Sequence, residues 1–268
     1  MTVRILTCQV ESVEDLTPDV FRVVLEGRGE AIAHAPGQYL ELAVDDETWV
    51  PFSIASAHRG DDRLELHIQH WPERTNSARL RELLTHQARL SVRLPNGDCY
   101  LPQAREEPLL LVGAGTGFAQ LKAIAEAALR EDPSREISIW WAVRERRDLY
   151  AETLAAQWSL DHPAVEFHAV IEAPEVELEP QPGVIWHQGR IDEVLATELE
   201  SLAGLEIYIA GSPGMVYACV DTLAPLGLEE SQVHSDVFSY APRVPFLPLP
   251  EADPESAPLS PGEAREKS

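Results

Sequence analysis

Up to about residue 104 the apolar positions fall in short runs with partial period-two alternation. The runs are Arg4 to Val10, Val20 to Leu25, Tyr39 to Val44, Arg63 to Trp71 and Arg89 to Leu94, and each reads as a strand. In Arg63 to Trp71, Leu64, Leu66, Ile68 and His70 share one face, while Glu65, His67, Gln69 and Trp71 share the other. Pro36-Gly37 and Pro95-Asn96-Gly97-Asp98 are turn signals. One helix interrupts the series, capped at Asn76-Ser77 and running through Leu80, Leu83 and Leu84. Five or six strands with one helix at this spacing predict a small antiparallel β barrel over residues 1–104.

From residue 105 the pattern changes. Pro108 to Val112 is a continuous apolar run, the mark of a strand covered on both faces. A Gly-rich turn follows, then a helix from about Ala119 to Arg130 that stops at Asp132-Pro133. Strands over Ile137 to Val143, Val165 to Ile171 and Leu205 to Ala210 alternate with helices near Leu149 to Trp158, Ile191 to Leu202 and Met215 to Leu223. Such alternation predicts an α/β unit with a parallel sheet over residues 105–240. Glu172 to Gly183, rich in Glu and Pro, reads as a solvated excursion. The last stretch, 241–268, has seven Pro among 28 residues and is expected to be a disordered tail.

Charge narrows the partners. Asp and Glu number 45 against 21 Lys and Arg, a formal charge of −24, which repels phosphate backbones and anionic lipid. Nucleic acid and membrane are therefore not expected as partners, whereas a cationic protein remains open. The longest apolar run is far short of the ~20 residues of a membrane span. Met1-Thr2-Val3-Arg4-Ile5 shows no leader-like apolar segment, so a cytoplasmic location is expected. Cys8, Cys99 and Cys219 are too few and too scattered for an iron–sulfur module or a disulfide framework. No metal site is expected either: there is no H-E-x-x-H, and His67 and His70 fall on opposite strand faces.

Three segments can carry chemistry. Gly113-Ala114-Gly115-Thr116-Gly117-Phe118 lies between a buried strand and a helix, where glycines allow close backbone approach and the helix N-terminus offers unpaired N–H groups to a phosphate. It is not G-x-G-x-x-G, and the next strand ends in Arg144 rather than an acid, with Arg146 and Arg147 behind it. Val50-Pro51-Phe52-Ser53-Ile54-Ala55-Ser56 taken alone is a plain strand with two hydroxyls. Ala210-Gly211-Ser212-Pro213-Gly214-Met215 is a turn at the carboxyl end of the last parallel strand, where ligands bind in open α/β sheets.

In this order, after a barrel, the three segments resemble the ferredoxin–NADP reductase superfamily, and within it the bacterial NAD(P)H:flavin oxidoreductases. The matching residues are Pro36-Gly37-Gln38-Tyr39, Pro51-Phe52-Ser53, Leu66-His67-Ile68, Pro95-Asn96-Gly97, Gly113 to Phe118, Ile207 to Gly211 and Asp236-Val237-Phe238-Ser239-Tyr240. The resemblance implies a Greek-key flavin-binding barrel followed by a pyridine-nucleotide domain. It implies a flavin against Pro51, Phe52 and Ser53 and beside Leu66, His67 and Ile68, with the Ser53 hydroxyl near the ring nitrogen that receives hydride. It places the nicotinamide at the Gly113–Phe118 loop and at Ala210, Gly211 and Met215. Arg144 is then available to a 2′-phosphate, and Phe238 and Tyr240 to the flavin. Hydride chemistry in such a pair belongs to the two cofactors. The expected activity is reduction of riboflavin, FMN or FAD by NAD(P)H, without an iron–sulfur cluster, the product serving an oxygenase or ferric-iron reduction.

Two departures from the family bear on this. Val50 stands where the family has an Arg that meets the flavin phosphate, and Arg74-Thr75-Asn76-Ser77 has no Gly for close phosphate approach. Both point to loose flavin retention, the flavin acting as a substrate. Compensation by Arg74 or Arg79, giving a bound-flavin reductase with a protein acceptor, stays open. So does a non-catalytic regulatory subunit of the same fold.

Overall fold

The computed structural model of the protein describes residues 2–86, 88–174 and 178–243. The first unit holds β1 (Arg4–Thr17), β2 (Val20–Glu26), β3 (Tyr39–Ala43), β4 (Trp49–Ser53), β5 (Arg63–Gln69), α1 (Thr75–His86) and β6 (Arg89–Asn96). Their order is β4-β3-β6-β1-β2-β5 in one antiparallel, barrel-like sheet. β1 makes the curl possible. Its first half, Arg4 to Gln9, pairs with β6 and its second half with β2, with register shifts at Val10/Ser12 and Asp15/Thr17. Such bulges sharpen strand twist. The sheet's two end strands consequently meet: Ile54 bridges Leu66, and Ala55 N–H donates to Glu65 O at 2.7 Å. The alternation seen in β5 is realised, with Leu64, Leu66 and Ile68 sealed among Leu25, Leu40, Leu42 and Val92. α1 covers this core with Leu80 and Leu84.

The second unit holds β7 (Leu109–Ala114), α2 (Phe118–Glu131), β8 (Ile137–Val143), α3 (Glu152–Asp161), β9 (Val165–Ile171), β10 (Ile185–Gln188), α4 (Ile191–Glu198), β11 (Glu206–Ala210), α5 (Pro213–Leu223), β12 (Val233–His234) and α6 (Val237–Tyr240). The sheet is parallel, in the order β10-β9-β8-β7-β11-β12. Both faces are covered. Adjacent Trp140 and Trp141 point to opposite faces and are both fully enclosed, Trp141 with Phe118, Leu121 and Phe167 and Trp140 with Val112, Val194 and Ile207. The three cysteines lie in three different apolar clusters.

Some boundaries differ from the pattern. α3 starts at Glu152 rather than Leu149, because Glu145 and Asp148 form a capping box around a 3₁₀ turn and Leu149 is buried ahead of the helix. α4 stops at Glu198, short of Leu202. Phe238 and Tyr240 lie in a short helix, Val237–Tyr240. β10 and β12 have four and two residues, too short for a periodicity to register. The tail from residue 244 lies outside the described residues.

The two units are joined by polar residues of α2. Gln120 and Lys122, although buried, point across the seam. The Gln120 amide donates to Gly37 O at 2.7 Å, to Cys99 O at 3.3 Å and to Asp236 Oδ2 at 2.9 Å. Lys122 Nζ donates to Ala55 O at 2.9 Å and pairs with Glu126 at 2.8 Å and Glu65 at 3.4 Å.

Candidate functional site

The carboxyl ends of β7 and β11 are neighbours, Gly113 pairing with Ala210, so the turns that follow them form one mouth. A Cβ on Gly117 would collide with the Ala210 carbonyl, and one on Gly211 would lie 3.0 Å from Met215 Sδ and 3.6 Å from the Ala114 Cβ. Gly117 is thus required where the turns touch, while at Gly211 only the flexible Met215 side chain would have to give. Gly115 has φ +54, and a Cβ there would meet nothing within 4 Å, so this glycine faces open space. The Gly115–Gly117 turn also lies against β5 of the barrel. The mouth is therefore glycine-lined, sits at the start of α2 and opens toward the barrel, a fit for the diphosphate of a dinucleotide.

On the barrel side, Phe52 and Ser53 are half-buried and Pro51 is exposed. Ser53 pairs with Tyr39, and Tyr39 also pairs with Asn96. A Cβ on Gly97 would stand 2.9 Å from both the Tyr39 ring and Asp236 Oδ1, so Ser53, Tyr39 and Asp236 gather at one rim of the seam. Burial pushes the Asp236 carboxyl up to about 6, opposed by the Gln120 hydrogen bond and assisted by Asp98. Raised acids of this kind concentrate at functional sites.

His67 is buried, unlike an outward strand residue facing solvent. Its Nε2 lies 2.8 Å from Glu65 Oε1 and its Nδ1 3.2 Å from the Tyr150 hydroxyl. Burial raises Glu65, but hydrogen bonds from His67 and Arg22 and the Lys122 charge outweigh it and hold the carboxyl at about 2. Burial, aided by the Lys122 and Arg22 charges, lowers His67 despite the hydrogen bond and charge of Glu65. The pair is then a carboxylate with a neutral imidazole. A carboxylate only accepts, so Nε2 carries the proton and Nδ1 accepts from Tyr150.

Of the residues expected at the site, Gly113, Ala114, Gly115, Thr116, Gly117, Ala210, Gly211 and Met215 come together at the mouth, and Pro51, Phe52 and Ser53 at the rim. Phe118, Leu66 and Ile68 are sealed in cores, which confines any contact they make with a ligand to their backbone. His67 is committed to Glu65 and Tyr150. Arg144 is exposed after β8. Arg146 is engaged by Glu152 and Gln181 and lies over Trp186, and Arg147 pairs with Glu145. Phe238 packs beside Tyr217, while Tyr240 is 64% exposed. Asp236 and Gln120 were not singled out from the sequence. Asp236 belongs to the Asp236–Tyr240 stretch that matches the family, but nothing local signals that Gln120 reaches it.

Comparison with known proteins fits this geometry. Residues 111–221 match the oxidoreductase NAD-binding domain family. The chain is 30% identical over 239 residues to the ferredoxin–NAD(P)(+) reductase component of the naphthalene 1,2-dioxygenase system of Pseudomonas putida, covering 88% of this chain and 69% of that protein. The chain belongs to the ferredoxin–NAD(P) reductase family. It is also 25% identical to an NAD(P)H-flavin reductase of Aliivibrio fischeri, over 88% of this chain and 99% of that one. The crystal structure of the Amycolatopsis cytochrome P450 reductase GcoB superposes with a TM-score of 0.75 at 29% identity, over 87% of this chain and 69% of that one. The protein is accordingly an NAD(P)H oxidoreductase of this family. Its fold implies a flavin as well. Among the described residues no helix is long and apolar enough to cross a membrane.

Proposed function

We propose that this oxidoreductase passes hydride from NAD(P)H to a flavin that it binds loosely and releases reduced. The observation that carries the reading is Val50. It is half-buried against the barrel core in β4, three residues before Ser53, where the family places a cation for the flavin phosphate. Of the two cations that could stand in for it, Arg79 of α1 pairs with Asp45 at 2.9 Å, and Arg74, just before the helix, lies over the Trp71 ring at 5.1 Å. Without a charge-assisted bond to phosphate, retention falls by about 1.5–3 kcal/mol.

The two bound groups supply the hydride chemistry itself. The chain's part is geometric. The Gly113–Gly117 turn and Ala210–Gly211 hold the dinucleotide, the β4 rim holds the flavin, and the Ser53 hydroxyl orients the accepting nitrogen. The 1–104 and 105–240 portions divide the work as flavin and nucleotide domains.

The test follows loss of reduced-nicotinamide absorbance with riboflavin, FMN or FAD added in turn. Turnover that requires added flavin, with riboflavin at least as good as FMN, is expected. A stoichiometric flavin that survives gel filtration would instead favour a second reading, a bound-flavin reductase for an oxygenase partner. The names of the naphthalene dioxygenase and cytochrome P450 relatives favour that alternative.

A further inference from the structure

Trp141 lies on β8 opposite Gly113 of β7, fully enclosed. Its indole N–H donates to the Gly115 carbonyl at 2.9 Å. The ring cannot swing: Phe118 stacks on it at 4.0 Å and 14°, and Tyr150 meets it edge-on at 4.9 Å and 73°. Tyr150 is itself held to His67 of the barrel. The indole is thus a fixed donor beneath the turn that faces the mouth.

The peptide after Gly115 is planar and trans, so its C=O and the Thr116 N–H point in opposite directions. With the carbonyl drawn down onto the indole, the Thr116 N–H is turned up into the open side of the turn. Gly115, at φ +54 with nothing within 4 Å of its Cβ direction, has no side chain to restrain it. The Phe118 N–H also reaches the Gly115 carbonyl, but it moves with the turn, whereas the indole belongs to the rigid sheet.

We propose that Trp141 is a positioning residue for the nucleotide site. By holding the Gly115 carbonyl it aims the Thr116 N–H at an acceptor oxygen of the bound dinucleotide. The inference rests on the nucleotide reading of this mouth, and not on which acceptor takes the electrons.

The test is Trp141→Phe, which keeps an aromatic ring for Phe118 but deletes the N–H. NAD+ affinity by calorimetry is expected to fall about fivefold, the scale of one hydrogen bond. The KM for NAD(P)H should rise in parallel, with kcat within about twofold and the KM for riboflavin unchanged. Unchanged NAD+ affinity, or an equal loss toward riboflavin, overturns the proposal. If the wild-type protein binds NAD+ but reduces no flavin, the flavin reading fails while the calorimetric comparison still decides the role of Trp141. Should the variant not fold, nuclear magnetic resonance of the wild-type chain serves instead. The Trp141 indole N–H resonance must shift on NAD+ addition while that of Trp49, on the barrel strand β4, stays in place; no shift at Trp141 overturns the assignment.

Discussion

Gln120 Nε2 stands 2.9 Å from Asp236 Oδ2, and the same amide reaches Gly37 O at 2.7 Å. One side chain of α2 therefore fastens the barrel turn, the nucleotide unit and the carboxyl that follows β12. Gln120 is buried and Asp236 half-buried, and a carboxylate drawn out of water without a cation costs stability whenever it ionises.

That cost sets a pH dependence. Asp236 is raised from 3.8 to about 6, so between those values the native state holds more protons than the unfolded chain. Stability accordingly drops as pH rises through this window. Asp236→Asn keeps an oxygen for Gln120 and cannot ionise. Its thermal midpoint should exceed that of the wild type at about pH 8, with the gap closing toward about pH 4. A variant equally destabilised at every pH would show that ionised Asp236 is not the burden.

The Ser53 hydroxyl is expected to act on rate rather than on nucleotide binding, because it sits on the barrel rim and not in the glycine mouth. Ser53→Ala should slow single-turnover hydride transfer about tenfold, the worth of one hydrogen bond to the reacting group. The KM for NAD(P)H should hold. An unchanged transfer rate removes Ser53 from the chemistry.

A second titrating group lies far from the seam. His168 stacks on Trp140 at 3.8 Å and 7°, and its Nδ1 lies 3.0 Å from His187 Nε2. Burial and then the neighbouring His187 lower it from 6.5 to about 4. Between those values the unfolded chain binds the extra proton, so stability falls as pH drops from about 6.5 to about 4. His168→Phe keeps the stack and removes the titration. The loss of thermal midpoint between about pH 7 and about pH 5 should shrink in the variant. An identical slope would mean that His168 is not the group responsible.

What the chain reveals locally and what it conceals follows from how far each signal reaches. Leu109 to Val112 announces a doubly covered strand because both of its faces are apolar in sequence, and Gly113 to Gly117 announces a turn because only glycine fits against Ala210. His67 looks like an outward strand residue, since the Tyr150 that buries it is 83 residues away. Asp236 looks like an ordinary acid for the same reason, its Gln120 partner being 116 residues distant. β12, with two residues, exists only because β11 offers it an edge. Trp141 falls inside the strand expected over Ile137 to Val143, but its bond to the turn is not legible there, because it depends on where the Gly115 carbonyl points.

The sharpest test of flavin handling is Val50→Arg. Val50 pairs with Leu42 and is only half-buried, so a long side chain can pack its stem along the barrel and carry its guanidinium outward. FMN and FAD have a phosphate for it to meet; riboflavin has none. FMN and FAD should bind about tenfold tighter or more, and riboflavin no tighter, from a charge-assisted bond of about 1.5–3 kcal/mol. Steady-state KM values for the three flavins give the comparison, and gel filtration with FAD shows whether the variant now retains it. Equal gains for all three would mean that the arginine acts by packing against the ring rather than by meeting phosphate. The loose-flavin reading would then lose the observation on which it stands.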